Sequence, residues 1–216
     1  MPGYAEHQYT VNDYISPQDA LKIVKAVPKV SKHEIRDQLL LAIGWEAGAR
    51  VSEVLGLKPE RVLEKALVLE NLKQPHKNKK VPTKVVVVSQ DLCNWIRKYC
   101  EDNDIKPGEW VFHSVRDKEK QLSRDSVHKM ITRAAEDAQV FRLGKTNPRT
   151  GGRYKGVSFH KLRHGYATFL LKRVKNLRLV QIQLGHASIS STQKYANVAF
   201  EDVEANVEEA KMNLFQ

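Results

Sequence analysis

Residues 158–171 read SFHKLRHGYATFLL. Phe159, Leu162, Tyr166, Phe169 and Leu170 recur at the spacing of one helical face, so the segment is expected to be an amphipathic helix opened by Ser158. At about 100° per residue, His160, Arg163 and His164 fall within an arc of roughly 100° beside that apolar stripe. Two imidazoles and one guanidinium are thereby placed on one side of a helix. The i, i+4 spacing of His160 and His164 is also that of a zinc pair. Here, however, Lys161 and Arg163 stand between them and no glutamate does. Adjacent positive groups repel a metal cation and favour an oxyanion.

The charge distribution extends that reading. The chain has 216 residues and a formal net charge of +11. No Asp or Glu occurs between residues 138 and 200, a span that includes Arg142, Lys145, Arg149, Arg153, Lys155, Lys172, Arg173, Lys175, Arg178 and Lys194. A second acid-free block, 71–84, holds Lys73, Lys77, Lys79, Lys80 and Lys84. Solvated faces normally mix both signs. Stretches of one sign point to a polyanionic partner, of which nucleic acid is the commonest. The last residues reverse the sign, with Glu201, Asp202, Glu204, Glu208 and Glu209.

Bulk composition excludes several classes. Hydrophobic residues make up 41% and charged residues 28%, which suits a globular chain and argues against disorder. No apolar run reaches the length of a membrane span and residues 1–20 lack a signal-peptide core, so a cytoplasmic protein without membrane contact is expected. Cys93 and Cys100 lie two turns apart on one predicted helix. They are too distant for a disulfide and read as core residues.

Element signals predict a mostly helical α+β domain with a small antiparallel sheet. Residues 1–15 form a loose polar arm. Helices are expected over 17–27 (Ser16 cap, stopped by Pro28), 32–47 (Ile35, Leu39, Leu40 and Ile43 on the buried face, ended by Gly48), 51–57, 90–101 and 123–138. Segments 66–72 and 81–88 read as a β-hairpin around a lysine-rich turn, and Val111-Phe112 as a brief third strand. Residues 143–156 read as a loop from their Gly and Pro content. After 158–173, short helices are expected near 177–184 and 188–194. Residues 200–216 form a terminal amphipathic helix, with Val203, Val207, Ala210 and Leu214 on one face. It either packs on its own domain or docks on a neighbouring protomer.

A set of Arg, His, Lys and Tyr without paired carboxylates suits phosphoryl transfer to a phenol. Guanidinium groups neutralise the non-bridging oxygens, an imidazole takes the phenolic proton, and a lysine protonates the leaving sugar oxygen. Tyr195 draws attention here. In LGHASISSTQKYANV, residues 184–198, it follows a run of polar residues and has little local apolar company.

Three stretches, AGARVSEVLGLKPE (47–60), HKLRH (160–164) and LGHASISSTQKY (184–195), together resemble the tyrosine recombinase, or phage integrase, family. The resemblance spans about residues 16–200. It implies the DNA breaking-rejoining fold over 16–199, a single catalytic domain. It also implies site-specific DNA cleavage and rejoining through a 3′-phosphotyrosine, with no cofactor and no metal. Arg50 and Arg163 would clamp the scissile phosphate, His160 would accept the tyrosine proton, His186 would hydrogen-bond the phosphate, and Tyr195 would be the nucleophile. Glu53 would be a supporting acid, or else a helix-surface charge. His164 would give structural support. The family places a catalytic lysine in the turn of a β-hairpin, usually as Gly-Lys-Gly. NLKQPHKNKKVP (71–82) departs from that pattern, so Lys73 is the expected general acid and Lys77 its rival. Lys77, Lys79, Lys80, Arg149, Arg153 and Lys155 would contact DNA.

Members of the family usually carry a helical core-binding domain ahead of the catalytic one and act as tetramers on DNA. Fewer than fifty residues precede Arg50, so the expectation is either a catalytic domain from a longer chain or a short natural version. A type IB topoisomerase-like enzyme and a non-catalytic DNA-binding module of the same fold remain as alternative readings.

Overall fold

The computed structural model describes residues 15–70, 82–140, 143–146, 153–155, 157–174, 176–184 and 207. Helix α1 (Pro17–Val30) is capped by Ser16, whose hydroxyl accepts the Asp19 amide at 3.1 Å. The helix runs three residues past the expected stop, through Pro28. Proline lacks the amide that would bond the Val24 carbonyl one turn back. Gln38 Nε2 donates to that carbonyl instead, at 3.3 Å, which makes the proline tolerable.

Helix α2 (Glu34–Glu46) is the centre of the molecule. From Leu39 to Glu46 every residue is buried, so it has no polar face to show as periodicity. Ile35, expected on the buried face, is 54% exposed because it sits in the first turn, ahead of the segment that enters the core. Around α2 pack α1, α4 (Gln90–Asp102) and α6 (Phe159–Val174), while α5 (Arg124–Asp137) packs on α1. Gly44 lets α6 approach closely: a Cβ there would lie 2.3 Å from the Phe159 ring. Trp45 meets Tyr166 edge-on, with ring centroids 6.1 Å apart. Glu46 is buried and takes both the amide and the hydroxyl of Ser89, the N-cap of α4, at 3.1 and 2.8 Å. That bond ties α2 to α4. Cys93 and Cys100, both buried on α4, are free thiols whose pKa burial pushes up to about 11.

Strands β1 (Ala66–Glu70) and β2 (Thr83–Val87) form the expected antiparallel hairpin, with Val68 opposite Val85. The lysine-rich turn between them lies outside the described residues. Two expectations need correction. Val111-Phe112 is a buried turn rather than a strand: both side chains are fully buried, and the Val111 amide bonds the Leu57 carbonyl at 3.0 Å. A short apolar pair cannot distinguish a core plug from a strand. Residues 143–156 are not simply a loop, because β3 (Leu143–Thr146) pairs antiparallel with β4 (Arg153–Lys155). Pro148, Gly151 and Gly152, which argued for a loop, lie between these strands, and strands this short show no alternation.

The short helix α3 (Val51–Leu55) starts after Gly48, whose φ of +53° turns the chain out of α2. A Cβ on Gly48 would come within 2.7 Å of both Leu184 and Tyr166, in a backbone conformation that favours glycine. Gly48→Ala is therefore expected to lower stability by about 3 kcal/mol, read from the urea midpoint of unfolding. Helix α7 (Leu177–Leu184) closes the described core and packs on α6 and β2. Val207, in helical conformation, is buried in a small cluster with Val87 and Leu179. That places this one residue of the expected terminal helix on its own domain. The rest of 200–216, and the helix expected near 188–194, lie outside the described residues. No helix among the described residues is long and apolar enough to cross a membrane.

Candidate active site

The chain reversal at Gly48 sets the position of Arg50, the N-cap of α3. Glu53, one turn later, folds back to accept the Arg50 amide at 2.9 Å through Oε2. Its Oε1 takes the Arg50 guanidinium at 2.6 Å. This local arrangement satisfies a helix N-terminal amide and buries Glu53, which is 1% exposed. Glu53 is thus an interior anion and not a helix-surface charge.

Two further cations reach the same carboxylate from distant parts of the chain. Lys84 Nζ, from β2, lies 2.9 Å from Oε2. Arg163 Nη1, from α6, lies 4.0 Å from it. Arg163 is buried at 3% exposure and also donates to the carbonyls of Gly48 (2.5 Å) and Leu184 (2.9 Å). Arg50 is the more open of the two arginines, with its side chain 20% exposed. It lines a cleft with Ser52, Gln121, Ser123 and Arg124. The two arginines expected to clamp a phosphate therefore converge on one carboxylate.

Burial works against the Glu53 charge, but the Lys84 charge, the Arg50 amide and the hydrogen bonds from the Lys84 and Arg50 side chains outweigh it and hold its carboxyl below the ordinary range. Burial pushes Arg163 down to about 10, with Arg50 adding to the shift and Glu53 opposing it, so Arg163 is cationic at neutral pH. Burial likewise lowers Lys84 to about 8 against the attraction of Glu53. Three cations facing one carboxylate leave a formal excess of two positive charges. That suits a phosphodiester, whose charge rises from one to two negative units on attack by a nucleophile.

His160 and His164 part company with Arg163. Arg163 turns inward, whereas His160 is exposed and its Nε2 lies 2.8 Å from Nε2 of His164, ring planes nearly perpendicular at 87°. One ring nitrogen must accept in such a bond, so the two cannot both be imidazolium. A neutral imidazole there is the form a proton acceptor needs. Lys73, Lys77, Lys79, Lys80, Arg149, His186 and Tyr195 lie outside the described residues, and of Arg153 and Lys155 only the backbone, in β4, is described.

The sequence reading passed over Lys84 as one more cation in a basic block. Its strand phase carries the missing signal. Thr83 and Val85 are exposed, while Lys84 and Val86 point inward, so a lysine occupies a core position of β2. Gln183 was also missed. It grips both backbone groups of Val87: Oε1 accepts from the amide at 3.1 Å and Nε2 donates to the carbonyl at 2.6 Å.

A helical domain with a small hairpin thus gathers two arginines and a buried lysine on one carboxylate, an excess of positive charge that suits an oxyanion. The phage integrase family profile matches residues 13–202, and the chain belongs to that family. A tyrosine recombinase XerA from Pyrococcus furiosus is 28% identical over 205 residues, 94% of this chain and 63% of that protein. The chain therefore spans less than two thirds of the length of that relative. The crystal structure of XerA recombinase superposes with a TM-score of 0.61 at 20% identity, covering 95% of this chain and 66% of that one. The lambda integrase catalytic core gives 0.56 at 18% identity, covering 83% of this chain and 94% of that core. These likenesses confirm the fold expected from the sequence.

Proposed function

We propose that the protein is a site-specific DNA recombinase. It cleaves and rejoins double-stranded DNA through a 3′-phosphotyrosine on Tyr195. The convergence of Arg50 and Arg163 on Glu53 carries this reading, together with membership of the family. Phosphate enters from the cleft beside Arg50, where Arg124 extends the positive surface. The Tyr195 phenol attacks phosphorus and loses its proton to His160. The bond to the 5′ oxygen breaks, and that oxygen takes a proton from a lysine of the β1–β2 turn, Lys73 or its rival Lys77. A 5′ hydroxyl from a partner strand reverses the step. His186 hydrogen-bonds the phosphate, and His164 holds His160 through their shared bond. Lys79, Lys80, Arg149, Arg153 and Lys155 contact the DNA backbone. The domain comprises residues 16–199, with the arm before it and the terminal helix after it. Assembly is a tetramer on DNA, and the site of action is the cytoplasm.

The energy of the broken bond stays in the phosphotyrosine, so neither ATP nor a metal is needed. Covalent adduct formation on a pool of nicked duplexes with randomised centres is expected to persist in EDTA. Loss of the adduct in EDTA with rescue by Mg²⁺ contradicts the mechanism. Recombination between two sites, without relaxation of a supercoiled plasmid by the monomer, separates this reading from a topoisomerase.

A further inference from the structure

We infer that Lys84 is a positioning residue that locks strand β2 to the end of α7, and so fixes the point from which the chain departs towards His186 and Tyr195. The inference deepens the proposed function and rests on it for its activity readout. Three observations carry it. Lys84 Nζ bonds Glu53 at 2.9 Å and the Leu184 carbonyl at 3.1 Å. Arg163 Nη2 donates to the same Leu184 carbonyl at 2.9 Å. Gln183, the preceding residue, clasps the backbone of Val87 on β2. The last turn of α7 is thus held on the hairpin by two adjacent residues, and its terminal carbonyl receives two charged donors.

A helix C-terminal carbonyl has no partner within its own helix and carries partial negative charge, so cations suit it. Two are used here, and both also serve Glu53. The carboxylate that orders Arg50 and the carbonyl two residues before His186 are therefore joined through Lys84 and Arg163. A buried ammonium is costly to place. Valine would fill an inward position of β2 more cheaply, as Val86 does. The lysine makes sense if it keeps α3, α6 and α7 in register around the phosphate.

The charged groups that face Lys84 are Glu53 on α3, Arg163 on α6 and Arg50 ahead of α3. Burial lowers its pKa to about 8, so the ammonium charge is lost just above neutrality. Lys84→Arg keeps a cation across that range, whereas Lys84→Met keeps the bulk and removes the charge.

The test compares wild type, Lys84→Met, Lys84→Arg and the double variant Lys84→Met/Glu53→Gln, which leaves no carboxylate without its lysine. Amide hydrogen exchange of α7 is expected to quicken by about tenfold or more in Lys84→Met and in the double variant, with α1 unchanged. On the randomised nicked duplexes, Lys84→Met is expected to slow adduct formation by roughly 100-fold, while DNA affinity changes by less than about threefold. Adduct formation by wild type should decline above pH 8, and Lys84→Arg should recover part of the rate without that decline. Unchanged exchange in α7 overturns the inference. So does full rescue of Lys84→Met by a duplex with sulfur at the 5′ bridging position, because a thiolate leaves without a proton and rescue would make Lys84 the proton donor. If wild type forms no adduct, the proposed activity fails, and the exchange measurement still decides the role of Lys84.

Discussion

Glu53→Ala is expected to destabilise the protein by about 3–5 kcal/mol, the cost of breaking a buried ion pair from one side. The melting temperature should drop by roughly 10 °C. Among the described residues, Glu53 is the carboxylate that Arg50, Lys84 and Arg163 share, so its removal leaves these cations facing one another. Lys84 and Arg163 are 5% and 3% exposed, which leaves little water to screen the repulsion. Glu53→Gln keeps an acceptor and should cost less. Urea unfolding followed by the fluorescence of buried Trp45 measures both. The pH dependence follows from the lowered carboxyl pKa. The stability contributed by Glu53 is complete above its ordinary value of 4.5 and is lost as pH falls through the lower folded value. Wild type should therefore lose more stability than Glu53→Ala on acidification below pH 4.5. Equal acid sensitivity in the two proteins would mean that Glu53 does not hold the cluster.

The second large effect is chemical. Tyr195→Phe is expected to bind DNA as wild type does and to form no covalent adduct. Loss of a hydroxyl removes the nucleophile and leaves the phosphate contacts, which supply most of the affinity for DNA. Binding is measured by anisotropy of a labelled duplex at several salt concentrations, and the adduct by a denaturing gel. The salt slope should be the same for both proteins. An adduct that survives the substitution would move the nucleophile elsewhere.

Much of the site was legible because its residues are tied to local signals. Gly48 ends α2 with a positive φ, Arg50 and Glu53 follow at the spacing of a helix N-terminus, and Arg163 sits on an amphipathic pattern. The shared arc of His160, Arg163 and His164 was legible only as an angle. Side-chain direction separated them, with Arg163 turned to the Gly48 and Leu184 carbonyls and the histidines turned to each other. Lys84 was hidden by its company. Among five lysines in a block it reads as surface charge, and its inward face shows only in the alternating burial of β2, where Lys84 and Val86 are covered and Thr83 and Val85 are not. Gln183 carries no sequence signal, since its partner Val87 lies 96 residues away. Helix α2 escaped its exact face for the opposite reason: a helix buried all round has no stripe to read.

The proposed chemistry turns on a phosphorus atom held by Arg50 and Arg163 and attacked by Tyr195. Its most direct test is mass spectrometry of the protein after reaction with the randomised nicked duplexes and digestion by nuclease and trypsin. Trypsin cuts after Lys194 and Lys211, so a nucleotide mass is expected on the peptide 195–211, borne by Tyr195. A nucleotide on any other peptide, or none at all in a sample shown to bind the DNA, would contradict it.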